Sequence, residues 1–239
     1  MIFAAVFAGG SGLRMGGEIP KQYMDLCGKP VIIYTIEKFL SVPEVDKIIV
    51  LCPTDKTDYT KELIKKYIKK SDEISVTSGG TTRNDTLINA LGFIEKNYGI
   101  DDESVILTHD AVRPFLTAEI IRDNIKYASL YGACDTAAPA TDTIVESDEN
   151  GFIKNIPVRK FMYQGQTPQS FNVKKLKETV ESLTPEETAL LTDACKIFTI
   201  KNLPVYIVKN DASTLQIPYS CDILKAEALL RAEENKKSE

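Results

Sequence analysis

The sequence predicts an α/β fold, a Rossmann-like mostly parallel sheet with helices on both faces and a protruding β-ribbon arm. Three observations predict it. Short apolar runs alternate with segments of helical period, which suits strands joined by crossover helices. The runs are apolar at nearly every position, as strands covered on both faces require. One later stretch holds two extended segments with a turn and no helix between them.

In order, "IFAAVF" reads as a strand and "VIIYTIEKFLSV" as its helix, followed by "KIIVLC" and "DYTKELIKKYIKK". Next come "ISVTSGG" with "RNDTLINALGFIEKNYG", and "SVILTHDA" with "AEIIRDNIKYASLYG". After "GACDTAAPA", residues 132 to 140, the rhythm changes. "TDTIVESDENGFIKNIPVRKFMYQGQTPQSF" is hinged at Asp148-Glu149-Asn150-Gly151, and Asn-Gly between extended stretches is a hairpin signal. A two-stranded ribbon is marginal alone, so this arm, at about 141 to 163, is expected to pack on a second copy of the chain. A helix after Asn172, another opening at "TPEETALLTDACKIF", a strand "VYIVK" and a terminal helix "CDILKAEALLRAEENKK" complete the series.

Length and composition bound the function. The 239 residues suit one α/β domain, 1–239, with the arm inserted. With 34 acidic against 29 basic side chains, the net charge of -5 excludes nucleic-acid binding through broad positive charge. The scattered Cys27, Cys52, Cys134, Cys195 and Cys221 lack metal or redox spacing and fit reduced thiols. No signal-peptide pattern or long apolar span is seen, so a soluble cytoplasmic protein with no membrane partner is expected.

In such sheets ligands sit beyond the carboxyl ends of the strands. The segments there are "AGGSGLRMGGEIPK", "SGGTTRND", "THDAVRP" and, after the ribbon, "YQGQTPQ". The first lacks the lysine and hydroxyl of a P-loop, and Gly10, Gly12 and Gly16 miss the dinucleotide spacing by one residue. What remains is a loop whose bare amides wrap a triphosphate, with Arg14 and Lys21 adding fixed positive charge. The sole histidine, His109, has no partner triad and is expected to be a structural hydrogen-bonder. Lys65, Lys66, Lys69 and Lys70 read as a solvated helix face.

"AGGSGLRMG…PKQY" resembles the signature of nucleotidyltransferases that join a sugar or polyol phosphate to a nucleotide. "SGGTTRND", "THDAVRPF", "DTIVES", "IPVRKFMYQGQTPQSF" and "LLTDACKIF" resemble its cytidylyltransferase branch, which includes the 2-C-methyl-D-erythritol 4-phosphate and ribitol 5-phosphate enzymes. The resemblance runs from residue 1 to about 230. "THDAVRPF", "MYQGQTPQSF" and "TDACKIF" are closer to the ribitol 5-phosphate enzymes of teichoic-acid synthesis in the cell wall, since methylerythritol enzymes more usually read "HDAARP" and "TDEAS".

The resemblance implies that CTP and a polyol phosphate, ribitol 5-phosphate foremost, give a CDP-polyol and pyrophosphate, with magnesium on the triphosphate. The alternatives are the methylerythritol phosphate enzyme of isoprenoid synthesis and a nucleotide-binding regulator without turnover. It also implies residue roles. Phe7, Ala8, Gly9 and Gly10 match backbone contacts to the nucleotide, and Arg14 and Lys21 match the stabilisers of the transition state. Gly79, Gly80, Thr81, Thr82, Arg83, Asn84, Asp85 and Thr86 match the loop that receives cytosine and ribose. Within it, Gly80 would let the base approach and Thr86 would offer a hydroxyl and amide to cytosine, whereas Arg83 is expected to organise the loop. Asp110 and Arg113 match residues near ribose, metal and substrate phosphate. Thr143 and Arg159 match arm residues reaching the neighbouring subunit's polyol phosphate in a homodimer, and Thr192 matches a substrate-side hydroxyl. The chain departs from the family at Gln216, where a lysine that positions the substrate phosphate is usual; Lys209 is a candidate to compensate.

Overall fold

The structure, a computed structural model, describes residues 1–10, 19–210, 216–217 and 221–238. The chain forms β1 (Ile2–Phe7), the two-residue strands β2 (Asp25–Leu26) and β3 (Lys29–Pro30), α1 (Val31–Leu40), β4 (Lys47–Cys52), α2 (Thr57–Tyr67) and β5 (Ile74–Ser78). Next are α3 (Arg83–Tyr98), β6 (Val105–Asp110), α4 (Ala118–Tyr131), β7 (Ala133–Pro139), β8 (Glu146–Ser147), β9 (Ile153–Asn155) and β10 (Tyr163–Asn172). The last are α5 (Val173–Glu181), α6 (Pro185–Ala189), α7 (Ala194–Ile200), β11 (Tyr206–Lys209) and α8 (Cys221–Ser238).

Seven strands make one sheet in the order β11-β7-β10-β6-β1-β4-β5. All are parallel except β10, which runs antiparallel between β6 and β7. The sheet is covered on both faces, as the unbroken apolar runs require. Ala4 and Val6 of β1 point into a core completed by Ile32, Ile33 and Ile36 of α1, Ile64 of α2 and Ile121 of α4. Phe3, Ala5 and Phe7 alternate to the other face, against Leu87, Leu91 and Ile94 of α3, Leu176 of α5 and Phe198 of α7. Leu26, Phe115, Ile217 and Ala226 form a third, smaller cluster under α8.

Three features differ from the expectation. "YQGQTPQSFN", expected only as a ligand-side segment following the ribbon, is a ten-residue strand within the main sheet. Its register shifts between Gly165 and Gln169, which accommodates Pro168, a residue without an amide for the ladder. The segment opening at "TPEETALLTDACKIF" is two short helices, because Asp193 interrupts the run and caps α7 by accepting from the Lys196 amide. The hairpin is short, pairing β8 with β9 alone, and turns as Asn-Gly predicts: Gly151 has φ 85° and the Asp148 carboxylate accepts from the Asn150 and Phe152 amides. Apolar side chains of the hairpin and of the turn that follows it stand in solvent, Phe152 and Phe161 being 72% and 67% exposed.

Candidate active site

β1 ends at Phe7, and the chain stays in the sheet one residue longer through the Ala8 amide, which donates to the Leu51 carbonyl at 2.7 Å. Gly9 and Gly10 then emerge into solvent. The Gln22 carboxamide, 1% exposed, donates to the carbonyls of Ala8 at 2.7 Å and Gly10 at 3.1 Å, so a buried amide fixes the path of the loop. Gln22 sits in a single 3-10 turn, Lys21–Tyr23, entered through Pro20 and anchored by the Tyr23 hydroxyl on Thr60 at 2.7 Å. The same turn lays the Lys21 stem along Gly10, where a Cβ would meet the lysine Cε at 3.6 Å. Arg14 and the rest of residues 11–18 lie outside the described residues. Gln22, to which the motifs assign no role, is a second reason for the "PKQY" stretch.

The loop after β5 is built around its own helix. The Gly79 amide donates to the Cys52 carbonyl at 2.8 Å, and the Gly80 amide donates to Thr86 Oγ1 at 3.0 Å. A Cβ on Gly80 would lie 2.1 Å from Asp85 Cβ and 2.8 Å from the Thr86 nitrogen, so glycine is required for the loop to fold back on α3. Thr82 and Asp85 form a capping box, and Thr81 adds a hydrogen bond to Asp85 at 2.6 Å. The hydroxyl bonds hold the Asp85 carboxyl below its usual range. Thr86 is buried, its hydroxyl donates to the Thr82 carbonyl at 2.8 Å, and its amide is bonded there too. The close approach expected at Gly80 is therefore to α3, and the Thr86 groups expected to face cytosine are engaged inside the loop.

At the end of β6 the two loops meet. Arg83 Nη1 bonds one oxygen of Asp110, and Arg113 Nε approaches the other at 3.3 Å. Burial alone would raise the Asp110 carboxyl, but the two guanidiniums outweigh it and hold the carboxyl below its usual range. Arg83 also lies over the Phe7 ring, 5.1 Å from its centroid, so one side chain joins the ends of β1, β6 and α3. Arg113 Nη2 donates to Gln216 Oε1 at 3.3 Å, which gives the departure at position 216 a partner within the site. His109 is fully buried, donating through Nε2 to the Arg113 carbonyl at 3.1 Å and accepting at Nδ1 from Thr167 at 2.9 Å. Burial pushes its pKa down to about 4, so it is neutral and structural. The Thr167 hydroxyl in turn accepts from the Asp110 amide at 3.3 Å. Thr167 carries no signal in the sequence, because its partners are far along the chain.

The remaining residues stand apart. Thr143 and Arg159 are exposed on the arm, where Arg159 donates to the Thr141 carbonyl at 3.0 Å. Among the described residues, no hydrogen bond or ion pair joins either to Asp110. Thr192 is exposed between α6 and α7, and Asn84 reaches that segment at the Leu191 carbonyl, 3.5 Å away. Among the described residues no cluster of three or more metal-ligating side chains occurs. No described helix is long and apolar enough to cross a membrane.

The arrangement has the chemistry to bind phosphate: exposed glycine backbone, a lysine along it, and two arginines sharing one carboxylate at adjoining strand ends. Comparison with known proteins agrees. The chain is similar to a solved 4-diphosphocytidyl-2C-methyl-D-erythritol synthase from Anaerococcus prevotii, with 29% identity, 97% of this chain and 96% of that chain covered, and a TM-score of 0.80. It shares its fold with the 2-C-methyl-D-erythritol 4-phosphate cytidylyltransferases of Francisella tularensis (24% identity, 94% and 97% covered, TM-score 0.77) and Thermus thermophilus (21%, 97% and 100%, 0.72). The model of one family, IspD, 2-C-methyl-D-erythritol 4-phosphate cytidylyltransferase, matches residues 2–232. With nearly its whole length matched by that family model, the chain belongs to the IspD family and is a CTP-dependent cytidylyltransferase.

Proposed function

We propose that the chain transfers CMP from CTP to 2-C-methyl-D-erythritol 4-phosphate, releasing pyrophosphate and forming the cytidyl diphosphate product used in isoprenoid synthesis. The match to the family model over residues 2–232 supports this acceptor. The comparisons do not support the ribitol 5-phosphate and teichoic-acid reading that the motifs suggested.

The acceptor phosphate is already an anionic nucleophile, so no general base is needed, which agrees with a neutral, buried His109. The barrier is the meeting of two anions. In this reading the backbone of Gly9 and Gly10 receives the triphosphate, while Lys21 and Arg14 offset charge growing at the α-phosphorus. The Gly79 to Thr86 loop shapes the cytidine side, and Arg83 and Arg113, aligned by Asp110, face the phosphates. The donor set fits a divalent ion carried on the triphosphate. Asp110 is one carboxylate at the strand ends, each of its oxygens accepts from one arginine and retains a further lone pair, and magnesium bound by phosphates takes few protein ligands. Such an ion neutralises triphosphate charge, and Asp110 is the residue that would hold it.

The whole chain is taken to act as one unit, paired with a second copy through the arm. The exposure of Phe152, Ile153, Ile156, Val158 and Phe161 supports that pairing, since such patches mark interfaces. In the dimer, Thr143 and Arg159 would serve the partner's acceptor phosphate, with Thr192 on the substrate side. Following pyrophosphate from CTP and magnesium with each acceptor tests the reading. Release with 2-C-methyl-D-erythritol 4-phosphate at a kcat/KM at least tenfold above that with ribitol 5-phosphate is expected, and the reverse preference overturns it.

A further inference from the structure

The row of the sheet two residues below Asp110 is polar where a core row would be apolar. Thr108 of β6, Gln169 of β10 and Asp135 of β7 are register partners and share one face. Thr108 donates to the Gln169 carbonyl at 2.9 Å, and the Gln169 carboxamide donates to Asp135 Oδ1 at 3.2 Å. Gln169 is only 3% exposed, yet its Oε1 has no partner among the described residues, and neither has Asn84 Oδ1 at the start of α3. Both orphans are acceptors, and an acceptor buried without a donor costs about 1–3 kcal/mol, so this region is short of O–H or N–H groups.

The position indicates what supplies them. The glycine loop and the Gly79 to Thr86 loop come after β1 and β5, on one side of β6, whereas β10 and β7 lie on the other. Nucleotide and acceptor must flank the α-phosphorus, so with the nucleotide over β1 and β5 the acceptor extends over β10 and β7. Asp135 is partly exposed, and the way to it is open at Gly165, an exposed residue whose absent side chain leaves Asp135 Oδ2 uncovered; a Cβ there would lie 3.5 Å from that oxygen. Arg83, the partner of Asp110, also acts on the Asp135 carboxyl, so the two regions adjoin.

We propose that Asp135 and Gln169, reached past Gly165, form a subsite for the hydroxyl groups of the acceptor's carbon chain, and so help set which polyol phosphate is used. This rests on the cytidyl-transfer reading above. A hydroxyl both donates and accepts, so one can donate to Gln169 Oε1 while a second engages Asp135 Oδ2. The high pKa of Asp135, pushed up by burial to about 7, lets that carboxyl present either a proton or a lone pair.

The test is steady-state kinetics of the full chain with CTP, magnesium and each polyol phosphate, for the wild type, Asp135→Asn and Gly165→Ala. The alanine Cβ makes only an ordinary contact, so that variant folds whatever becomes of the other, and thermal melts of both are recorded. Both should raise KM for the polyol phosphate about 5- to 10-fold, the value of one hydrogen bond, with KM for CTP and kcat within threefold. Unchanged polyol KM in both variants would mean that water alone fills the cluster, and a matching rise in KM for CTP would mean that it serves the ribose. Either result overturns the subsite while leaving cytidyl transfer intact. A wild type that releases no pyrophosphate with either acceptor instead removes the functional reading, and the subsite with it.

Discussion

Two glycines beside the same helix should respond oppositely to alanine. At Gly80 the added Cβ would lie 2.1 Å from Asp85 Cβ, 2.6 Å from the Asp85 carbonyl carbon and 2.8 Å from the Thr86 nitrogen. Two of these atoms are backbone, so the loop must move by more than an ångström. That breaks the 3.0 Å bond from the Gly80 amide to Thr86 and disturbs the Thr82–Asp85 capping box. A lost hydrogen bond costs about 1 kcal/mol and a lost cap about another. Gly80→Ala should therefore lose about 2–3 kcal/mol, which at roughly 2–4 °C per kcal/mol lowers Tm by about 4–12 °C. Gly92 lies on the exposed side of α3 with nothing within 4 Å of an added Cβ. Gly92→Ala should gain about 0.5–1 kcal/mol from helix propensity. Thermal unfolding monitored by circular dichroism, together with KM for CTP, reads both. KM should rise at least fivefold for Gly80→Ala and stay unchanged for Gly92→Ala. If Gly80→Ala melts within 1 °C of the wild type with unaltered KM, the loop does not depend on this close approach and the reasoning fails.

Electrostatics sets two further outcomes. Lys21→Ala should lower kcat by about 10²-fold while KM for CTP changes less than threefold, because charge that grows in the transition state is stabilised more than the bound substrate; equal changes would make Lys21 a binding residue. Stability against pH should show two opposed slopes. His109, lowered by burial from 6.5 to about 4, stays neutral when folded, so it destabilises the fold as pH falls through that window. Asp135, raised by burial from 3.8 to about 7, holds a proton when folded, so its contribution is lost as pH rises from about 4 to 7. The two nearly cancel in the wild type. Asp135→Asn leaves the histidine slope uncovered and should lose about 1–3 kcal/mol more than wild type between pH 6.5 and 4.5, at ~1.4 kcal/mol per pH unit. Urea midpoints that shift in parallel for both proteins would refute this.

Much of the site was legible because strand ends announce it. Apolar runs located β1, β5 and β6, and the residues just past these runs do gather at one edge of the sheet: Gly9 and Gly10, Gly79 to Thr86, and Asp110 with Arg113. The parts that were not legible depend on partners distant in sequence. Gln22 reads as an ordinary polar residue until Ala8 and Gly10 are seen to surround its amide. The packing of Gly80 on α3 shows only once the helix start is in place, and β10 goes unread as a sheet strand because its polar residues show no apolar period.

The sequence by itself determined the parallel frame, the turn at Asn150-Gly151 and which loops stand at the strand ends, because backbone preference and apolar period act over a few residues. Only the tertiary structure decided that β10 enters antiparallel between β6 and β7, that Arg83 and Arg113 share Asp110, and that Gln169 faces Asp135. Those pairs are 27, 3 and 34 residues apart. A buried polar side chain is compatible with its surroundings only when a partner of opposite hydrogen-bonding character arrives there, and that meeting is a property of the assembled sheet.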